Sequence, residues 1–231
     1  MGKLSNKVLV TLCVLSTLIA VLLSSVEVAV YGDLSFFKKE YEKYSVLDSV
    51  HMEMDDLMDV TDHLLNYMIG REDNLVVETT INGQHREFFN DREKTHMVDV
   101  RNLFIAGWNL RNICIVVLIV TLLLLILLNK KKTIEVLAKG FLIITLIIAV
   151  ISVALGVMIS RDFTSAFITF HRILFPQNEF WILDPKTDLL INIVPEGFFV
   201  DMALRIGMIF GVSIFALIII SLIVLWRKHE Y

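Results

Sequence analysis

Two histidines, His96 and His171, stand in settings that suit proton transfer. His96 lies in the run 88–103, Phe-Phe-Asn-Asp-Arg-Glu-Lys-Thr-His-Met-Val-Asp-Val-Arg-Asn-Leu, just before a long apolar stretch. On a helix, Arg92, His96 and Asp99 follow one another at i+4 and i+3 and share a face that Phe89 and Leu103 extend. An imidazole with an ordinary pKa of about 6.5 gives or takes a proton at working pH, and beside a carboxylate it suits a general base. His171 sits among Phe167, Phe170 and Phe175, where a cation costs desolvation energy, so a depressed pKa and a neutral, proton-accepting ring are expected. The bland alternative for Arg92 and Asp99 is that they only mark the edge of a membrane, where such side chains reach back to water.

The elements that must position these groups are legible on either side of them. Asn90 and Glu93 have the spacing of a capping box, which starts a helix with Asp91 in its first turn. Upstream, 75–81 and 84–89 flank Asn82-Gly83, a strong hairpin signal because both turn residues take positive φ. Before the hairpin, Asp48 is expected to cap a helix running to Met68, with Val50, Met54, Leu57, Val60, Thr61, Leu64 and Met68 on its buried face and Gly70 ending it. Around His171, Trp181 is followed by Asp184-Pro185, which initiates a turn that Asp188 caps or closes, and Pro195 and Glu196 suit the first turn of another helix. Local backbone bonding is the simpler reading of Asp184 and Asp188. His51, His63, His85 and His229 read as solvated surface residues, and the methionines of the acidic helix as core.

Composition decides the class. Apolar residues make up 56% of the 231, and mean hydropathy is +0.69, well above the soluble globular range. Four apolar stretches, 8–26, 113–128, 141–159 and 206–226, are expected to cross a membrane, whose hydrocarbon core needs about 20 helical residues. Glu27 stands where a signal peptidase needs a small residue, so the first stretch is expected to remain as an anchor. Lys3 and Lys7 precede the first stretch, Lys130, Lys131, Lys132 and Lys139 lie between the second and third, and Arg227 and Lys228 follow the fourth. This places both termini in the cytoplasm and both large loops outside. The expected organisation is span one with its cytoplasmic end (1–30), an outer segment with the hairpin (31–112), span two (113–128), a cytoplasmic loop (129–140), span three (141–160), a second outer segment (161–202) and span four (203–231). The fold class is therefore mainly α: a four-transmembrane-helix bundle with a small extracytoplasmic α/β cap containing a β-hairpin.

Several functions are disfavoured. The formal charge of −4, with no basic run interleaved with aromatics, argues against nucleic acid. Cys13 and Cys114 lie in apolar stretches and read as small hydrophobes, so neither a disulfide nor a thiol nucleophile is expected. Gly-rich phosphate loops, Cys-x-x-Cys, His-Glu-x-x-His and Gly-x-Ser-x-Gly are all missing. Two readings compete with an acid–base enzyme. One is a metal-dependent membrane lipid hydrolase using His96, Asp99, His171, Asp184 and Asp188; the other is a non-catalytic membrane module whose acidic outer segment binds a partner.

The run Phe89-Asn90-x-Arg92-Glu93-x-x-His96-Met97-x-Asp99-Val100 resembles the bacterial lipoprotein intramolecular transacylases. So do Phe170-His171, Trp181-x-Leu183-Asp184-Pro185-x-Thr187-Asp188 and the four spans. The likeness covers nearly the whole chain. It implies a multi-pass protein of the bacterial cell membrane that moves the sn-2 acyl chain of a diacylglyceryl-modified lipoprotein onto the amino group of that substrate's N-terminal cysteine, leaving a lyso-form lipoprotein. It also implies a catalytic pair at the outer leaflet, carried by His96 and His171, with no metal or other cofactor. Beside that pair, Arg92, Asp99 and Arg172 are candidates for orientation or for stabilising an oxyanion. Asp99 is placed to fix the His96 tautomer, while Phe88, Phe89, Asn90, Phe170, Phe175 and Trp181 are candidates for confining substrate and excluding water. The partners implied are the lipoprotein and membrane lipid.

Overall fold

Apolar stretches of this length leave the backbone no hydrogen-bonding partner but itself, so each becomes a helix. The computed structural model describes residues 2–227; Lys228 and His229 lie outside the described residues, as does the side chain of Lys3. In chain order the elements are α1 (Gly2–Tyr31), α2 (Ser35–Lys43), α3 (Val46–Val50), α4 (Met54–Met68), β1 (Glu78–Ile81), β2 (Gln84–Glu87) and α5 (Asp91–Asn129). After a 3-10 turn at Lys130–Lys132 come α6 (Thr133–Arg161), α7 (Phe163–Leu174), α8 (Leu190–Ile193) and α9 (Glu196–Arg227). The molecule is thus mainly helical with one small antiparallel sheet. It divides into a span unit (residues up to Glu27, Trp108–Phe163, and Ile206 onward) and a site unit (Val28–Gly107 and Thr164–Arg205).

Among the described residues three stretches are long and apolar enough to cross a membrane: Ser5–Tyr31, Asp91–Arg161 and Glu196–Arg227. The middle one contains both α5 and α6, because the break between them is only the three lysines. Lys130 reverses the chain at φ 50°, and the turn is tied by Thr133 Oγ1 donating to Leu125 O (3.0 Å) and by paired amide bonds between Asn6 and Asn129 (2.5 and 2.8 Å). Val10, Cys13, Val14, Leu18, Leu125, Phe141 and Ile214 form the buried cluster between the helices. Both cysteines are free and buried.

The site unit departs from expectation in its acidic helix. A single helix from Asp48 to Met68 was expected; the chain instead forms α3 and α4, with Asp48 inside the first rather than capping the second. The break falls at His51, which adopts φ 54°, and its carbonyl accepts the Asn82 N–H of the hairpin turn at 2.9 Å. One interrupted helix thus docks the hairpin. Val50, Leu57, Val60, Thr61, Leu64 and Met68 are buried as their spacing implied, whereas Met54 is half-buried.

The hairpin pairs Glu78 with Glu87 and Ile81 with Gln84 around Asn82 (φ 52°) and Gly83 (φ 73°). Its strands are shorter than 75–81 and 84–89, because after Glu87 the chain turns Phe88 and Phe89 into the core, edge to face at 4.7 Å. A second aromatic group packs Phe37 and Tyr41 against Phe198. Since Thr61 Oγ1 donates to Leu57 O (2.8 Å), the 2.7 Å contact between Tyr41 and Thr61 is the phenol donating to the hydroxyl.

Candidate active site

The expected capping box is present and reciprocal. Asn90 N–H donates to Glu93 Oε2 at 2.7 Å, and Glu93 N–H donates to Asn90 Oδ1 at 3.0 Å, starting α5 at Asp91. Glu93 does more than cap: it is 1% exposed, and its second oxygen accepts Leu190 N–H at 2.6 Å, ninety-seven residues away. Burial pushes its carboxyl above the usual range against the pull of those backbone donors.

Asn90 also donates through its amide to Asp188 Oδ1 at 2.8 Å. Asp188, itself buried, closes the Asp184-Pro185 turn by accepting Asp184 N–H (2.7 Å) and the Thr187 hydroxyl (3.0 Å). Burial alone would raise the Asp188 carboxyl; these donors and the Arg92 charge outweigh it and hold the group below its ordinary value.

This frame sets the start of α5, and one turn further along lies His96. Its partner comes from α7, where His171 Nδ1 is 2.8 Å from Phe167 O, one helical turn back. A carbonyl only accepts, so Nδ1 carries the hydrogen, and in the neutral ring Nε2 keeps its lone pair. The imidazole centroids are 6.0 Å apart with planes inclined at 40°, and both side chains are buried. Phe175 stands edge-on to His96 at 5.5 Å and lies 5.8 Å from His171. Phe167 approaches His171 to 4.1 Å, Trp181 stacks on it at 5.1 Å and 30°, and Phe170 meets it edge-on at 5.5 Å.

The surroundings decide the charge state. Burial, then the neighbouring His171, lowers the pKa of His96 to about 4 against the opposing charge of Asp99. Burial likewise lowers His171, opposed by its bond to Phe167. Both residues precede the apolar part of their neighbouring spans, and near neutral pH both are neutral.

Other candidates fall differently. Asp99 was expected to fix the His96 tautomer; instead its Oδ2 accepts Asn178 Nδ2 at 2.9 Å, while His96 Nδ1 is buried with no hydrogen-bond partner among the described residues. Asp99 therefore reaches His96 through its charge alone. Arg92 uses Nε on Ile182 O (3.0 Å) and Nη2 on Glu179 O (2.5 Å), which suits orientation better than an oxyanion role. Arg172 is exposed. Phe88 and Phe89, considered as pocket walls, are 2% and 1% exposed and pack in the core at the hairpin exit. Asn90 is engaged in the frame, whereas Phe170, Phe175 and Trp181 do surround the pair.

Phe167 and Asn178 were not singled out as site residues. The first had a signal, its i−4 spacing from His171; the second had none. Beside Asp99 and Asn178 a cleft of about 420 Å³ opens, walled by Tyr67, Leu75 and Val98.

The other histidines are apart from this constellation. His51 and His85 are exposed, the latter with Nε2 3.4 Å from Glu78 on the paired strand. His63 is half-buried rather than solvated, with Nε2 3.0 Å from Asn74 O. The five residues of the metal-hydrolase reading do not converge. Asp184 Oδ1 accepts Lys186 N–H at 3.0 Å and Asp188 is occupied as described, and among the described residues no three His, Cys, Asp or Glu side chains are gathered to hold an ion.

Long apolar helices mark a membrane protein, and the buried pair of imidazoles walled by aromatics is its candidate site for proton transfer. The sequence model of the family described as lipoprotein intramolecular transacylase Lit matches residues 11–199. The chain belongs to that family, and is accordingly a lipoprotein acyltransferase.

Among solved structures it is similar to the membrane-integral lipoprotein intramolecular transacylase Lit of Bacillus cereus, in meso, at 19% identity and a TM-score of 0.77, covering 98% of each chain. Two structures of that protein with one histidine replaced, by alanine and by arginine, match at 19% identity and a TM-score of 0.73. They cover 98% and 97% of this chain and 96% and 94% of theirs. At that identity the likeness concerns the fold. Curated protein sequences contain no match.

Proposed function

We propose that the enzyme moves the sn-2 acyl chain of a diacylglyceryl-modified lipoprotein to the α-amino group of the same molecule's N-terminal cysteine, with His96 and His171 as the acid–base pair. The observation that carries this reading is the pair itself: two buried neutral rings 6.0 Å apart between aromatic walls. The amine attacks the ester carbonyl, a C–N bond forms, and His171 Nε2 takes the amine proton. Its tautomer, set by Phe167 O, supports the base role.

His96, held neutral, offers its N–H to the carbonyl oxygen as negative charge develops there, a role open to a neutral imidazole in a dry site. When the C–O bond breaks, the sn-2 oxygen leaves as an alcohol carrying the proton that His171 had taken. Protons balance, and the products are an amide and a lyso-glyceride.

Donor and acceptor belong to one molecule, so their approach is effectively unimolecular, an advantage of up to roughly 7–11 kcal/mol in well-aligned cases. No acyl-enzyme, metal or other cofactor is called for. The cleft beside Asp99 has room for the peptide that follows the cysteine.

The same reading gives the topology. α1, α5, α6 and α9 cross the bacterial cell membrane as a four-helix bundle, with Lys130–Lys132, Lys139 and Arg227 on the cytoplasmic side and both termini there. The histidine pair then works at the outer leaflet, and the site unit is the extracytoplasmic cap.

The test is a mixing experiment. Two diacylglyceryl lipopeptides of distinct sequence, one with isotope-labelled acyl chains, are incubated with the enzyme in lipid and their N-terminal peptides are read by mass spectrometry. Labelled N-acyl product is expected only on the peptide that began with the label; label on the other peptide would mean transfer between molecules or through an acyl-enzyme.

A further inference from the structure

We propose that Arg92 is a positioning residue that acts on His171 through Trp181: its guanidinium, forked across the carbonyls of Glu179 and Ile182, holds the backbone on either side of Trp181 and thereby keeps the indole stacked on the imidazole. The proposal rests on the reading of His171 as the base.

Residues 175–189 contain no helix or strand, so what fixes this segment must be side-chain bonds. It is tied to α5 by Asn178 donating to Asp99 and by the Arg92 fork, and to the capping residue before α5 by Asn90 donating to Asp188. Only the fork brackets Trp181. A planar guanidinium with donors in fixed directions can span two carbonyls, whereas an ammonium is a point donor, so arginine is required here and lysine is a partial substitute.

Trp181 matters because, among the described residues, the His171 ring has one polar tether, Nδ1 on Phe167 O. That bond leaves rotation of the ring about its own axis soft, and a flat aromatic partner 5.1 Å away restricts it. The indole also covers a face through which water would otherwise reach the imidazole. Arg92 thus controls both where Nε2 points and how dry it is, without touching the reacting atoms. The titratable and charged groups around His171 are His96 and, beyond it, Asp99 on α5, with the exposed Arg172 next along α7; the 175–189 segment meets Arg92 through backbone carbonyls.

The experiment measures turnover and pH profile in lipid for Arg92→Ala, Arg92→Lys, Trp181→Ala, Trp181→Phe and the double variant Arg92→Ala/Trp181→Ala. Thermal unfolding of each purified protein is recorded alongside, with His171→Ala as reference. Arg92→Ala is expected to lower kcat about tenfold, the low end for hydrogen bonds from a charged group because this one is exposed. Arg92→Lys should keep part of the activity that Arg92→Ala loses, and Trp181→Phe most of what Trp181→Ala loses. The double variant should be no slower than Trp181→Ala, because Arg92 has nothing left to act through.

In both alanine variants the acid limb of the pH profile should move up toward the ordinary histidine value of about 6.5 as water reaches the ring. Additive losses, an unmoved acid limb, or a loss that only tracks the folded fraction would make Arg92 a fold-stabilising residue and overturn the proposal, as would full activity in Trp181→Ala. Full activity in His171→Ala would instead overturn the assignment of the base.

Discussion

The span unit and the site unit handle polar side chains in opposite ways. In the first, hydroxyls mostly bond back to their own helix: Thr17 to Cys13 O, Thr121 to Val117 O, Ser213 to Ile209 O and Ser221 to Leu217 O, each at 2.7–2.9 Å. Such bonds satisfy a group in an apolar medium but say nothing about where the helix lies, so helix positions depend on the apolar cluster around Val14 and Leu125. Bonds between helices include those of Asn6 with Asn129 and of Arg111 with Glu27.

In the site unit the polar bonds run long distances along the chain: Glu93 to Leu190, Asn90 to Asp188, Asp99 to Asn178, Tyr41 to Thr61. They fix one segment against another with the directional precision of a hydrogen bond, which acid–base chemistry needs and lipid crossing does not. Polar substitutions should therefore matter by unit rather than by residue type.

The largest effect that would expose this contrast is on turnover. His96→Ala and His171→Ala are each expected to lower the transacylation rate by at least about 10²-fold, the low end for a positioned acid or base, and the double variant should resemble either single one. His85→Ala, exposed on the hairpin, and Ser213→Ala, bonded to its own helix, should stay within a few-fold of the parent in the same assay. A Ser213→Ala loss comparable to that of the histidines would erase the distinction between the units.

Stability should divide the same way. Glu93→Ala strands the N–H groups of Asn90 and Leu190 in a site that is 1% exposed. At about 1–3 kcal/mol for each buried group left unpaired, the cost for the two is expected to be about 2–6 kcal/mol, read by thermal unfolding of the purified protein. Thr17→Ala, which frees only a bond within its own helix, should shift stability by no more than about 0.5 kcal/mol. Equal losses would mean that span hydroxyls also hold tertiary structure.

Which parts of this organisation were legible in sequence follows from how local each signal is. The capping box, the Asn82-Gly83 turn and the i+4, i+3 spacing of Arg92, His96 and Asp99 are short-range patterns, and they read correctly as local structure. The acidic helix was misread because its break at His51 answers to a partner, the Asn82 N–H, that lies thirty-one residues downstream.

The same cause explains the site. That His171 is wrapped in phenyl rings could be inferred from Phe167, Phe170 and Phe175, but nothing local marks Asn178 as the donor to Asp99 or Arg92 as the tether of the 179–182 backbone. Phe88 and Phe89 were considered as pocket walls because they adjoin the chemical run; that both are buried at the hairpin exit is a tertiary fact the sequence does not carry.

The smallest effect expected is the most specific to the site unit, because it depends on an imidazole kept uncharged by burial. The folded pKa of His96 is about 4, and that of the unfolded chain is about 6.5. Below pH 6.5 the unfolded chain therefore binds a proton that the folded protein refuses, so stability is fully present above that value and falls as pH drops toward 4. The slope is at most about 1.4 kcal/mol per pH unit for one group, so acidifying from 6.5 to 5.5 should remove about 1 kcal/mol through His96. His171, also lowered, acts in the same direction, and the raised Glu93 acts in the opposite one. The difference between the parent and His96→Gln isolates the single contribution: the variant should show the shallower decline between pH 6.5 and 5, while Thr17→Ala keeps the parent's slope. Parallel curves for the parent and His96→Gln would show that His96 is already hydrated in the folded protein, and the dry environment assigned to the pair would have to be given up.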